Sequence, residues 1–342
     1  MTLKLLIKAL TAAVLFIGAV FAYLLWWPPR CTGSEQVVVT IRWGTSLRSA
    51  AKQLEDEGVI RSAEQFRLAA KLLGKSNALR VGRFALRKGC SHYSTLRALL
   101  YGPQQLVELT LPEGYDSRRY AGMIARSLDL DSTRIMQLVR DPAFIARLGI
   151  DAPSLEGFLY PETYHLTYGL REEQVLSILA DQFNKRIDEA LRREAEASPL
   201  GFYGCLILAS IIEGEAIVEE EMPIISSVYH NRLRRGMRLQ ADPTIQYLLP
   251  DGPRRLLLKD LAIPSPYNTY LHAGLPPTPI NNPSRKAFEA ALRPADTDYL
   301  FFVAVGDGRH TFSKTYSGHL SAKRAFDEVR RQVEREKRKK GS

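Results

Sequence analysis

The sequence predicts an α+β protein made of a single apolar N-terminal helix, a small βααβ subdomain and a larger mixed α/β domain. Three observations carry that prediction. Ala9 to Trp27 run 19 residues without a charge. A β-α-α-β order of patterns follows, opening on Val37-Val38-Val39-Thr40-Ile41. The 342 residues are enough for about two domains. Apolar residues make up 45% and charged residues 25%, which excludes wholesale disorder and a multi-span membrane protein. The net charge of +10 favours acidic partners such as nucleic acid, anionic lipid or an acidic wall polymer. Three cysteines exclude a dense disulfide scaffold, and no Cys/His cluster has zinc spacing.

The apolar run is expected to be a membrane anchor over residues 9–27, with residues 1–8 on the cytoplasmic side. At ~1.5 Å rise per residue it spans roughly the hydrocarbon core. Lys4 and Lys8 precede it, Trp26 and Trp27 close it, and Pro28-Pro29 end the helix. A cleaved leader needs a shorter apolar core and an A-x-A-like site, and Ala19 and Ala22 are spaced wrongly for one. The body then lies outside a bacterial-type inner membrane, in the periplasm.

After the anchor, Val37 to Ile41 reads as a strand, and Gly44 turns the chain. Ser46 can cap a helix with Leu47, Ala50, Ala51 and Leu54 on one face. A second helix fits Ala63 to Leu73, a strand Arg80 to Leu86, and a short helix Ser94 to Leu100. This order resembles the LysM glycan-binding module over residues 35–102, although so small a fold serves equally as a purely structural unit. If the two strands pair antiparallel, as the LysM-like order implies, Cys31 and Cys90 meet at one edge and form a disulfide. Cys205, in an apolar run, stays free.

Tyr101-Gly102-Pro103 is the expected linker to the larger domain, 103–329. Val37, Thr40, Ile41, Gly44, Arg48, Ala51 and Leu54 align with Val107, Thr110, Leu111, Gly114, Arg118, Ala121 and Ile124 at an offset of 70. Both segments read as strand, glycine turn and helix. The loop Ser154 to Tyr164 carries aromatics with Glu156 and Glu162, and suits either a sugar cleft or a well-packed loop. Arg171 to Arg193 reads as one long amphipathic helix. The basic tail, 330–342, lacks interleaved aromatics and reads as a solvated helix end. Nucleic acid is therefore not expected as a partner.

Gly204 to Ile212 is apolar nearly all round, so as a helix it is buried. Glu213 follows at once. Desolvation and the negative helix end both disfavour its anion. A carboxylic acid still protonated near neutral pH can protonate a glycosidic oxygen. Position alone leaves open that Glu213 is a partly exposed helix-end residue. Glu219-Glu220-Glu221 and Pro223 suit the start of another helix, with Ile224, Ile225, Val228 and Leu233 on its buried face. Arg232, Arg234 and Arg235 suit its last turn, and Gly236 its end. Loops rich in amide, hydroxyl and aromatic groups follow, and glycan sites are made of such groups.

The blocks LASIIEGEA (208–216), VYHNRL (228–233), MRLQADPTIQY (237–247), SPYNTY (265–270), GLPP.PI.NPS (274–284), YLFFVA (299–304) and HTFS (310–313) run in order. With the anchor and LEGFLYPETY (155–164), they resemble the YceG-like, MltG-type endolytic murein transglycosylases over nearly the whole chain. The resemblance implies cleavage of nascent peptidoglycan between N-acetylmuramic acid and N-acetylglucosamine. The muramyl 6-hydroxyl attacks its own anomeric carbon and leaves a 1,6-anhydro end. The family's catalytic acid matches Glu213, in an E-G-E where relatives often have E-K-E. No metal or organic cofactor is implied. The implied partners are peptidoglycan strands, the inner membrane and peptidoglycan synthases. Gln240, Asn268, Tyr267 and Glu156 are the expected substrate contacts. One carboxyl suffices for this chemistry, whereas a hydrolytic muramidase wants a second, for which Asp242, Glu156, Glu162 and Glu215 are available. A catalytically silent, tethered glycan-binding factor is the alternative from another class. The products separate all three readings: anhydro ends, reducing ends, or none.

Overall fold

The computed structural model describes residues 3–26, 31, 34–250 and 252–325. The Trp27-to-Pro29 end of the apolar run and the basic tail 330–342 lie outside them. Helix α1 covers Leu3–Trp26, and its Leu10, Val14, Leu15, Phe16 and Ile17 are exposed. Among the described residues no single helix is long and apolar enough to cross a membrane, and the apolar stretch described within α1 is Ile7–Val20. The chain divides into two compact units. One is Met1–Leu109 with Tyr164–Leu170, and the other is Thr110–Thr163 with Arg171–Ser342.

In the first unit, β1 (Gln36–Ile41) pairs antiparallel with β2 (Gly82–Arg87), so that Gln36 faces Arg87 and Ile41 faces Gly82. Helices α2 (Leu47–Asp56), α3 (Ala63–Leu72) and α4 (His92–Tyr101) start at Ser46, Ser62 and Ser91, each accepting a backbone N–H of its own first turn. Period-two burial on the strands (Val39, Ile41, Phe84, Leu86) meets Ala50, Leu54 and Phe66 of the helices in one apolar core. Cys31 and Cys90 are joined by a disulfide. A second two-stranded sheet is formed by β3 (Leu106–Thr110) and β4 (Thr163–Thr167). The two glycines aligned in the partial repeat, Gly44 and Gly114, have φ of 77° and 72°, a region glycine enters at no steric cost.

The second unit is mainly helical: α5 (Ser117–Leu128), α6 (Ser132–Val139), α7 (Pro142–Arg147), α8 (Glu172–Arg186), α9 (Glu189–Glu196), α10 (Gly201–Glu215), α11 (Met222–Arg234), α12 (Asp242–Gln246) and α13 (Arg285–Leu292). A hairpin of β5 (Phe301–Ala304) and β6 (His310–Ser313) follows. The single helix expected over Arg171 to Arg193 is two. It breaks at Ile187-Asp188, where the Asp188 carboxylate accepts the Leu191 N–H and starts α9. Asp competes for backbone N–H groups, and here that wins over helical continuity.

Helix α10 is the centre of this unit. Cys205 through Ile212 are all buried, and the helix packs against α9, α11, α12 and α13. Each fully buried Leu or Ile contributes ~1.5–3 kcal/mol relative to exposure. That burial fixes where α10 ends. Ahead of α11, Glu221 is not a solvated helix-start acid. It is buried and holds the His310 backbone N–H (3.1 Å) and ring Nδ1 (2.7 Å), tying the hairpin to the start of α11. Within α11, Ile225 and Val228 are buried while Ile224 and Leu233 are half-buried.

Candidate active site

Glu213 stands in the last turn of α10, half-buried, because the eight buried residues before it carry that turn to the edge of the core. Its Oε2 accepts two bonds from one residue: the Ser284 backbone N–H at 2.9 Å and the Ser284 hydroxyl at 2.6 Å. Ser284 is also the N-cap of α13, accepting the Ala287 N–H. Burial pushes the Glu213 carboxyl above the usual carboxylate range, with the nearby charges of Glu113 and Glu219 acting the same way, and the two Ser284 donors oppose them. Gly114, at its positive φ, passes close by. A Cβ placed there would come within 3.6 Å of Glu213 Cγ.

Gly114 also lines a cleft of about 560 Å³ together with Asp116, Arg118, Arg119, Gly214, Glu215, Asp242, Pro243, Tyr247, Ile280 and Asn281. Glu213 therefore sits at the margin of a cleft of ligand size. Three further acids line it, Asp116, Glu215 and Asp242. Glu215 accepts the Tyr229 hydroxyl at 3.0 Å, and burial and then Asp242 push its carboxyl up to about 7. Asp242 accepts the Tyr270 hydroxyl. A second hollow of about 540 Å³ shares Arg118 and Tyr247 with the first and is lined also by Glu156, Ser265, Tyr267 and Thr278. At the shared wall the Arg118 guanidinium lies 5.1 Å from the Tyr247 ring centre and donates to the Tyr247 carbonyl at 2.6 Å.

The loops are assembled on Asn282, which is fully buried. Its Oδ1 accepts the N–H groups of Gly157 and Leu159, both at 3.0 Å, and its Nδ2 donates to the Tyr115 carbonyl at 3.0 Å. One amide thus joins the turn before α5, the 155–159 loop and the chain leading to Ser284. Glu156, 5% exposed, accepts the Ser117 N–H at 2.9 Å. Burial first, and then Asp116, push its carboxyl up to about 8.

Of the four expected substrate contacts, Tyr267 and Glu156 line the second hollow. The Tyr267 ring packs 5.1 Å from that of Tyr247, centre to centre. Asn268 is fully buried and its amide is spent inside its own loop, donating to the carbonyls of Leu261 and Ile263 and accepting the Tyr270 N–H. Its place is that of a loop clamp. Gln240 is exposed, lines neither hollow, and holds its chain by a backbone bond to the Thr269 carbonyl at φ 49°. Glu162 is tied to Arg186 and Gln182 and likewise lines neither hollow. Ser284, Asn282, Arg118 and Asn281 are the residues that sequence reasoning did not single out. The N-P-S run at 282–284 was the available signal for the first two.

A family model described as YceG-like matches residues 39–325. The chain belongs to the YceG-like family. Among YceG-like relatives, the endolytic murein transglycosylase of Bacillus subtilis (strain 168) is 32% identical over 330 residues, covering 91% of each chain. The endolytic murein transglycosylase of Streptococcus pneumoniae serotype 2 (strain D39) is 28% identical over 327 residues, covering 85% of this chain and 58% of that one. In structure the chain is similar to a YceG-like protein of Listeria monocytogenes solved by crystallography. The TM-score is 0.60 at 31% identity, over 84% of this chain and 99% of that one. The family match takes in both α10 with Glu213 and α13 with Ser284.

Proposed function

We propose that this chain is a peptidoglycan lytic transglycosylase that cuts glycan strands internally, between N-acetylmuramic acid and N-acetylglucosamine. The observation that carries the reading is Glu213: a carboxyl raised by burial, held by Ser284, at the margin of a cleft lined by aromatic, amide and charged groups. Family membership and the printed names of the relatives support it. Glu213 enters protonated and gives its proton to the glycosidic oxygen as the bond to the muramyl anomeric carbon breaks. The resulting carboxylate then takes the proton of the muramyl 6-hydroxyl as that oxygen bonds to the same carbon. The products are a 1,6-anhydro end and a new hydroxyl, with no net proton gained or lost. Ser284 suits both halves, since its donors stabilise the carboxylate between the two transfers.

Helix α1 is the membrane anchor in this proposal. From residue 9 to residue 20 its side chains are exposed around the helix and, Thr11 apart, apolar, a pattern suited to lipid rather than water. The catalytic body then faces the periplasm. Peptidoglycan synthases are natural neighbours of an enzyme acting on nascent strands.

A second reading, hydrolytic cleavage, is favoured by one observation: Glu215 and Asp242 both line the cleft, so a paired carboxylate is available to activate water. Mass spectrometry of the fragments released from isolated strands decides between them. The expected fragments end in 1,6-anhydromuramic acid. Reducing ends would establish the hydrolase, and uncut strands would leave a binding protein.

A further inference from the structure

Asn281 is unlike every other residue lining the larger hollow. It is 4% exposed, and its Nδ2 donates to the Ser210 carbonyl at 2.8 Å. A carbonyl only accepts, so that bond fixes which end of the amide is nitrogen. The other end, Oδ1, is buried with no hydrogen-bond partner, and among the described residues it is the only such side-chain atom in the lining of this cleft. A buried polar atom without a partner is rare in folded proteins, and a missing ligand donor is one of its ordinary explanations. The surroundings narrow the donor. Ile280 and Pro243 line the same hollow, and Gly214 lies between Pro243 and Asn281. A Cβ there would stand 2.7 Å from Pro243 Cβ and 3.7 Å from Asn281 Nδ2. The wall is thus an amide acceptor flanked by apolar surface, with Pro243 packed closely over a residue that has no side chain.

We propose that Asn281 recognises the 2-acetamido group of a sugar in the cleft. Oδ1 accepts the acetamido N–H, and Pro243 and Ile280 take the acetamido methyl. A bare hydroxyl would satisfy the acceptor but leave the apolar flank unused. A free 2-amino group would bring a charge to that same flank. The inference rests on the cleft being a glycan site, and it assigns the chemical group that the site selects.

Binding tests it without turnover. The full-length Glu213→Gln chain in detergent is titrated with short peptidoglycan strands, either N-acetylated or chemically N-deacetylated, and affinity is read by calorimetry. The expected result is at least ~10-fold weaker binding of the deacetylated strand, which loses the acetamido methyl and brings a charge to the apolar flank. That loss is expected even though Glu215 and Asp242 would attract its ammonium. Asn281→Ala on the same background is expected to weaken the acetylated strand by a similar factor and to narrow the difference, because the acetamido is then no longer held with its methyl against Pro243 and Ile280. Equal affinity for the two strands overturns the inference, as does an Asn281→Ala chain that still discriminates fully. The strand comparison uses an unaltered Asn281, so it stands even if the alanine variant misfolds. Fragment analysis of the wild-type chain reads the proposed reaction separately. A chain that selects acetylated strands but never cuts them keeps this inference and loses the other.

Discussion

The two units of this protein bury different things. The first holds a small apolar core under two paired strands and closes it with Cys31–Cys90, and among its described residues the buried polar side chains are Ser91, His92 and Thr95. The second buries Glu156, Glu221, Asp260 and Arg232 together with the amides of Asn231, Asn268, Asn281 and Asn282. Buried acids and amides weaken a fold unless each is bonded, so their concentration in one unit is informative. In the proposed reaction it marks the part that has to place protons. Carboxyls removed from water keep their protons to higher pH, and the second unit holds three of them near its two hollows: Glu213, Glu215 and Glu156.

The largest way to break the contrast is Glu213→Gln. The amide can still accept from Ser284, so the unit is expected to keep its unfolding midpoint. The proton is gone, and strand cleavage is expected to fall by roughly 10²–10⁴, the usual worth of general acid–base assistance. Timed fragment release checks it. Unchanged turnover would move the role to Glu215, two residues on and inside the cleft.

How much of this was legible in the sequence depends on the distance a contact spans. An uninterrupted apolar run ending in an acid marks Glu213 as the end of a buried helix, because burial and chain position are local facts, while its catalytic role is implied by the family resemblance. The matching glycine turns at 44 and 114 were legible for the same reason. Ser284 reaches Glu213 across 71 residues, and nothing in a pattern reports a bond of that span. Asn268 and Gln240 were read from composition, which shows that amides are present but not which way they turn. One is spent within its loop and the other is exposed. The break between α8 and α9 was hidden because Asp188 fits the polar face of a continuous helix as well as it fits a cap.

A pH series sharpens the comparison further. Glu156 has a folded value of about 8 against an ordinary 4.5, so between those values the folded chain binds the extra proton. Stability from this group is full below the unfolded value and is lost as pH rises through the folded one. Between pH 5 and 9 the second unit is expected to lose on the order of 4 kcal/mol from this group, with Glu215 adding to the slope. The first unit is expected to change little. Glu156→Gln, neutral throughout, should flatten most of that slope. Urea unfolding followed by a probe in each unit measures it, and a slope unchanged in the variant would clear Glu156 of the effect.

Reduction of Cys31–Cys90 acts on the other side. The disulfide closes a sequence separation of 59, and chain entropy puts its worth at about 4 kcal/mol. The Cys31→Ser, Cys90→Ser chain is expected to lose that stability in the first unit alone. Its cleavage of short soluble strands should be unaltered. A parallel loss of activity would mean that the first unit contributes to the reaction and is more than a folded support.

The smallest expected effects come from a matched pair of serines, one in each unit. Ser46 caps α2 by accepting the Ser49 N–H at 3.1 Å, and Ser284 caps α13 by accepting the Ala287 N–H at 3.2 Å. Replacing either by alanine removes one cap, a loss of about 1 kcal/mol. The two are expected to be alike by urea unfolding. They should differ in the pH dependence of kcat/KM, because only Ser284 also donates to a carboxylate. That bond favours the charged form of Glu213 and lowers its pKa, while the Ser284 backbone N–H stays in place in the variant. Without the hydroxyl the acid holds its proton to higher pH. The alkaline limb of the profile, where the general acid is lost, is then expected to move up in Ser284→Ala and stay fixed in Ser46→Ala. Two unmoved profiles would reduce Ser284 to a helix cap, and with it the claim that polar groups in the second unit are arranged around the proton on Glu213.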